Sequence, residues 1–272
     1  MKPDRNLPSE RDADAPLTAR SIVASTLLGL RPPSLGPAAL VRAGEIFGIA
    51  EGTTRVALSR MLAAGELETD DGVYTLSGRL LDRMDRQDAS RRPALARWDG
   101  AWRTAVVTAA GRTAAERSDL RAAMRELRFA EVREGVWMRP DNLTGDDQPR
   151  ARAVADEQCM WMRSSVDEPG TLAAQLWDLA GWARRAQTLR RRMRTSRRDL
   201  EEPTRAALRE GFVLAAAVLR HMQADPLMPP DLLPKDWPGR ALRADYDDYA
   251  RIFARRWAAA LREGAEMGIR TS

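Results

Sequence analysis

The residues with the clearest chemistry lie between Gly48 and Gly65, GIAEGTTRVALSRMLAAG. Arg55 and Arg60 carry guanidinium forks that match guanine O6 and N7, or a phosphate. Thr53 and Ser59 supply hydroxyls suited to phosphate or shallow base contacts. Thr54, Ala57, Leu58, Met61 and Leu62 fall at helical spacing and form one apolar face. Gly52, Arg55, Val56, Ser59 and Ala63 fall on the other face, with Thr53 and Arg60 at its edges. The stretch is therefore predicted to be a helix that buries one side and offers small, polar and cationic groups to a DNA groove. An ordinary amphipathic surface helix has the same pattern, so the flanking chain decides.

The segment LTARSIVASTLLGL from residue 17 carries Ile22, Val23, Thr26, Leu27 and Leu30 on one helical stripe, with Thr18 placed as N-cap. Arg31-Pro32-Pro33 ends it, because proline disfavours helical backbone in its predecessor. Gly36-Pro37 opens a second helix, with proline where no N–H is needed. Gly48 closes that helix in a left-handed conformation. Arg31 and Ser34, in the intervening loop, are predicted to reach the DNA backbone. After Gly65, Leu67-Glu68-Thr69 and Val73-Tyr74-Thr75-Leu76 flank Asp70-Asp71-Gly72. Asp-Gly between alternating runs is a strong hairpin signal. Three helices and a hairpin in this order predict a winged helix-turn-helix over 17–90. Gly72 is expected to offer its amide to phosphate, whereas the two wing-tip aspartates repel it.

Residues 1–16 read as a disordered tail. A charged helix is expected from 77 to 88, followed by a linker at Ser90-Arg91-Arg92-Pro93. The block 97–168 shows a buried strand at 102–109, a helix at 114–127, strands at 129–132 and 135–138, a loop at Asp146-Asp147-Gln148-Pro149 and a strand at 157–166. This order predicts a ferredoxin-like middle domain. From 171 to 272 the pattern is helical, interrupted by the proline-rich loop DPLMPPDLLPKDWPG. The predicted fold class is α+β, mostly helical, in three parts: winged helix, ferredoxin-like domain and helical C-terminal domain.

The chain has 272 residues, 44% apolar and 31% charged, with a formal net charge of +5. That length allows two or three domains with real cores, and the modest positive charge permits nucleic-acid binding without requiring it. Arginine supplies nearly all the cations, since Lys2 and Lys235 are the only lysines. One cysteine, Cys159, excludes an intrachain disulfide framework, and the N-terminus has no hydrophobic centre of a signal peptide. A cytoplasmic protein without membrane attachment is expected. No Cys/His cluster for zinc and no glycine-rich phosphate loop is present, so no cofactor and no enzymatic activity are expected. The arginines from Arg184 to Arg198 read either as a solvated helix face or as a second basic surface.

Gly48-Ile49, Glu51 and Arg55-Val56-Ala57-Leu58-Ser59-Arg60-Met61 resemble the PaaX family of bacterial transcriptional regulators. Trp98-Asp99-Gly100 with Trp102-Arg103 resembles that family's entry into its middle domain. Asp225-Pro226, Leu232-Leu233-Pro234 and Asp236-Trp237-Pro238-Gly239 resemble its C-terminal signature. One departure stands in the helix before Asp225: the family's His-Glu pair corresponds to Ala216-Ala217. The resemblance implies a winged helix on double-stranded operator DNA, a nuclease-like ferredoxin fold in the middle, and a homodimer on a palindromic site. It also implies a repressor of a catabolic operon, released by a small effector such as an aryl- or acyl-CoA. Trp98, Trp102, Arg103, Trp137 and Trp161 are expected to line an aromatic effector pocket, against the plainer reading of the tryptophans as core. The competing expectation is a metal-dependent nuclease built on the middle domain. That chemistry wants a carboxylate late in the first strand, where Thr108-Ala109-Ala110 stand.

Overall fold

A computed structural model of the protein describes residues 17–144 and 148–268. The predicted tail at 1–16, and Asp146 and Asp147 of the predicted loop, lie outside the described residues. The described chain divides into two compact units, one of 17–87, 185–222 and 239–268, the other of 88–184 and 223–238.

In the first unit, α1 (Ala19–Leu28) starts at Thr18, whose hydroxyl accepts the Ser21 N–H at 3.2 Å. β1 (Ser34–Leu35) leads into α2 (Pro37–Ile46) and α3 (Glu51–Ala63). Both of these helices end in the same six-residue motif. Gly48 and Gly65 adopt φ of 77° and 64°. The Ile49 N–H reaches Gly44 O at 3.0 Å, and the Glu66 N–H reaches Met61 O at 2.9 Å. The turn from α2 into α3 is thus fixed by backbone hydrogen bonds that only a left-handed residue permits.

β2 (Leu67–Asp70) and β3 (Val73–Leu76) pair in the register Leu67 with Leu76 and Asp70 with Val73. The two turn residues Asp71 and Gly72 both have positive φ, 47° and 73°, the hairpin geometry that matches strand twist. β1 adds to β3, giving the antiparallel order β1-β3-β2. Val23, Leu27, Leu40, Leu58, Met61, Leu67 and Leu76 form the core beneath these elements. Each such side chain contributes roughly 1.5–3 kcal/mol on burial. α4 (Arg79–Arg91) runs into the segment expected as a linker: Ser90 is fully buried and continues the helix, which ends at Arg91 before Arg92-Pro93.

The same unit contains the C-terminal part of α8 (Leu179–Asp199), α9 (Arg205–Gln223) and α10 (Gly239–Gly268). Phe47, at the end of α2, meets Phe212 of α9 at 5.1 Å and Trp257 of α10 at 6.3 Å between ring centroids. Phe212 and Trp257 themselves lie 5.1 Å apart. These edge and tilted geometries are favourable beyond simple burial. α8 joins α10 through Arg190 and Asp245 at 2.6 Å and through the Ser196 and Tyr249 hydroxyls at 2.9 Å.

The second unit follows the order β4 (Trp102–Val107), α5 (Ala114–Glu126), β5 (Ala130–Arg133), β6 (Val136–Pro140), α6 (Pro149–Asp156) and β7 (Cys159–Ser164). The sheet order is β5-β6-β4-β7 with every neighbour antiparallel. This is the ferredoxin-like topology. Helix α6 was not foreseen: it is short and buries only Ala151 and Ala155. α5 and α6 cover one face of the sheet over Ala105, Leu120, Met124, Phe129 and Trp137. On the other face Trp102 packs with Ala173 of α7 (Pro169–Leu176), Leu179, Met228 and Leu232. The proline-rich loop is held by Asn142 Nδ2 donating to Leu227 O at 2.9 Å. No helix among the described residues is long and apolar enough to cross a membrane.

The close approach of α2 and α3 occurs at Gly44 and Thr54. A Cβ on Gly44 would collide with the Thr54 Oγ1, and that hydroxyl is fully buried without a hydrogen-bond partner. Gly44→Ala is expected to destabilise the protein by about 1–3 kcal/mol through overpacking. Adding Thr54→Ala is expected to recover most of that loss, because it removes the colliding and unsatisfied hydroxyl. Denaturant melts of the two single variants and the double variant measure the coupling. Strictly additive effects would contradict the contact.

Candidate nucleic-acid interface

The amphipathic split expected for α3 holds in detail. Thr54, Leu58 and Met61 are buried, and Ala57 and Leu62 are half-buried. Gly52, Thr53, Arg55, Val56, Ser59, Arg60 and Ala63 are all exposed. Val56 is 51% exposed although apolar, in the middle of this face.

The two arginines differ in a way the sequence did not reveal. Arg55 Nε donates to Glu51 Oε1 at 2.7 Å, one helical turn back. Arg60 has no ion-pair partner among the described residues. The loop candidates also have internal partners. Arg31 Nη1 donates to Leu30 O at 2.7 Å and to Leu28 O at 3.1 Å, closing the end of α1. Ser34 exchanges a 2.8 Å hydrogen bond with the Thr75 hydroxyl across β1 and β3. Gly72 is exposed at the hairpin tip beside exposed Asp70 and Asp71.

A buried carboxylate fixes the end of α3. Glu66 is 1% exposed and lies directly after Gly65. Arg20 of α1 donates to it through Nε at 2.8 Å and Nη2 at 2.6 Å. Arg79 of α4 donates through Nε at 2.7 Å and also through Nη2. Hydrogen bonding from Arg20, outweighing the effect of burial and helped by Arg79, holds the Glu66 carboxyl below its ordinary value. Sequence reading missed this clamp, because Glu66 looks like an ordinary polar residue between a glycine and a strand.

The five effector candidates do not meet in one pocket. Strand register places Trp137, Trp161 and Ala105 side by side, and Arg103 opposite Arg139 and Arg163, on the face under α5 and α6. Trp102 has the opposite parity and is fully buried on the other face, where Trp98 also packs. Arg103 lies 3.7 Å from Asp141. Trp161 donates to Asp156 at 2.5 Å and carries the Arg152 guanidinium 4.1 Å from its ring centroid. Trp137 is 3% exposed in the core. The single aromatic pocket expected from the sequence is therefore divided by the sheet itself.

Three helices and a paired hairpin, a ferredoxin-like sheet and a helical C-terminal part follow one another along the chain. Successive parts of the chain match the descriptions PaaX-like protein over residues 18–80, PaaX protein central Cas2-like domain over 95–172 and PaaX-like protein C-terminal domain over 177–262. The chain belongs to the PaaX family of transcriptional regulators. Among solved structures it is similar to the uncharacterized protein Rv0674 from Mycobacterium tuberculosis, with 42% identity and a TM-score of 0.68. That similarity covers 89% of this chain and 98% of the other. No curated protein matches the chain.

The clamp yields a pH prediction. Because the folded-state Glu66 carboxyl is lowered from the ordinary 4.5, its stabilisation is fully present above that pH. It is lost as pH falls through the lower folded value. Glu66→Gln is expected to cost about 1–3 kcal/mol at neutral pH. The gap between wild type and variant in thermal melts should close as the pH is taken below 4.5. A gap that stays constant with pH would reject the charged clamp.

Proposed function

We propose that the protein is a sequence-specific DNA-binding repressor whose α3 enters the major groove of its operator. The observation that carries this reading is the exposed, continuous face of Gly52, Thr53, Arg55, Val56, Ser59 and Arg60 opposite a buried apolar one. Membership of the PaaX family supports the same reading. Arg60 is the leading base or phosphate contact. Arg55 joins after exchanging Glu51 for DNA. Val56 is placed to meet a thymine methyl. Thr53 and Ser59 contact phosphates or shallow base edges, and Gly72 offers its amide from the wing.

The protein acts as a homodimer in the cytoplasm, with DNA reading assigned to 17–90. Two recognition helices then lie one DNA turn apart, about 34–36 Å, or a multiple of it. Residues 97–168 and 171–272 hold the effector and dimer functions, and effector binding lowers operator affinity by a coupling of roughly 1–3 kcal/mol. The regulated genes are catabolic and the effector an aryl- or acyl-CoA, on the strength of the family resemblance alone. The protein works without catalysis; Thr108-Ala109-Ala110, which follow directly on β4, carry no carboxylate for a nuclease.

A footprint on the DNA upstream of the protein's own gene, followed by titration of variants, tests the reading. Arg60→Ala is expected to weaken operator binding by about 1–3 kcal/mol, or roughly 5- to 150-fold, if it forks onto guanine. If it contacts phosphate instead, the slope of log K against log salt should become shallower by about 1. Arg55→Ala is expected to have the smaller effect, because its guanidinium must first leave Glu51. Unchanged affinity and slope in both variants would remove α3 from the interface.

A further inference from the structure

The second unit contains a basic groove whose arginines were not singled out from the sequence, although Trp137 lines it. It measures about 540 Å³ and lies between α5 and the β5–β6 hairpin. That volume falls within the range of small-molecule sites. Arg112, Arg117, Arg121, Arg125 and Arg133 line it. None of the five is ion-paired among the described residues. Their hydrogen bonds go to neutral acceptors: Arg112 to Gln158 Oε1 at 3.4 Å, Arg117 to Arg112 O, and Arg121 to Arg117 O at 3.4 Å.

Two features separate this groove from an ordinary solvated helix face. First, Arg117, Arg121 and Arg125 stand at successive i,i+4 positions of α5, about 6 Å apart along the axis. Like charges at that spacing oppose the helix, whereas Arg55, Arg152 and Arg251 each pair with a carboxylate within a turn. Second, the stripe does not face open water alone. Arg133, from the opposite wall, closes on it, so five guanidinium groups converge on one concavity. Glu131 and Glu134 are the only carboxylates lining the groove, and the Glu131 Oε1 already accepts the Gly135 N–H at 3.2 Å.

We propose that this groove binds a small molecule bearing a chain of two or three phosphate groups. Guanidinium forks at a spacing of about 6 Å hold successive phosphates by paired charge-assisted hydrogen bonds. Glu134 opposes the ligand by repulsion and limits the affinity for lone anions. The site is independent of the DNA-reading face, and its occupancy is measured directly rather than through operator release.

Calorimetric titration of the full-length protein with tripolyphosphate, adenosine triphosphate and inorganic phosphate is the test. Tripolyphosphate or adenosine triphosphate should bind saturably at a single site, and inorganic phosphate at least tenfold more weakly. Arg121→Gln/Arg125→Gln changes only exposed side chains. It should retain the wild-type melting curve and weaken binding tenfold or more, whereas Glu134→Gln should strengthen it several-fold. Binding of adenosine triphosphate but not tripolyphosphate still supports the site and adds recognition of the organic part. Absence of saturable binding by either probe overturns the proposal. So does binding unaffected by the double variant. A double variant that loses affinity for random duplex DNA, while no phosphate probe binds, reassigns the groove to a nucleic-acid backbone and equally overturns it.

Discussion

The ring of Phe47 decides how α3 is mounted. It ends α2 one residue before the Gly48 turn, so any movement of Phe47 moves the start of α3. Its partners are Phe212 and Trp257, which lie on α9 and α10, far along the chain. Those rings are buried, and Phe253 and Tyr249 extend the same stack along α10. Aromatic packing of this density resists small displacements, because an interior packed at crystal density has no slack for a tilted ring. Helices α2 and α3 are therefore built into the same compact unit as the last two helices, and the proposed DNA-reading face takes its geometry from that packing.

Electrostatics sharpen the same picture. Within the unit that holds α3, several charges are paired: Glu51 with Arg55, Glu66 with Arg20 and Arg79, Arg190 with Asp245. The wing tip is acidic. On α3, Arg60 is exposed and has no ion-pair partner among the described residues. Under the proposed reading, such a face gains affinity from shape and a few forked contacts, and from two copies acting together, rather than from bulk charge.

The ferredoxin-like unit has a different economy. Its sheet has two covered regions of unlike origin, one under its own helices α5 and α6 and one under α7 and the proline-rich loop. The period-two alternation of strands sends neighbouring residues to opposite sides, so tryptophans close in sequence end in separate cores. Arginines of α5, with Arg112 and Arg133, instead gather into a groove. Fold and site are thus separate questions in this unit, as they are for any fold used widely.

The sequence by itself determined the order of elements wherever local chemistry dictates backbone conformation. Pro37 opened a helix, Gly48 and Gly65 closed two, and Asp71-Gly72 turned a hairpin, since each residue acts through its own φ and its own hydrogen bonds. The division of α3 into buried and exposed faces was equally legible, because a 3.6-residue period needs no partner to be read. Other features depended on contacts between distant segments. Ser90 is buried and continues α4, and Glu66 after α3 is clamped by Arg20 of α1 and Arg79 of α4. Most clearly, Trp102 and Trp137 lie on opposite faces because β4 and β6 pair with Trp137 beside Ala105. Register is a property of two strands together, and no single strand's sequence encodes it.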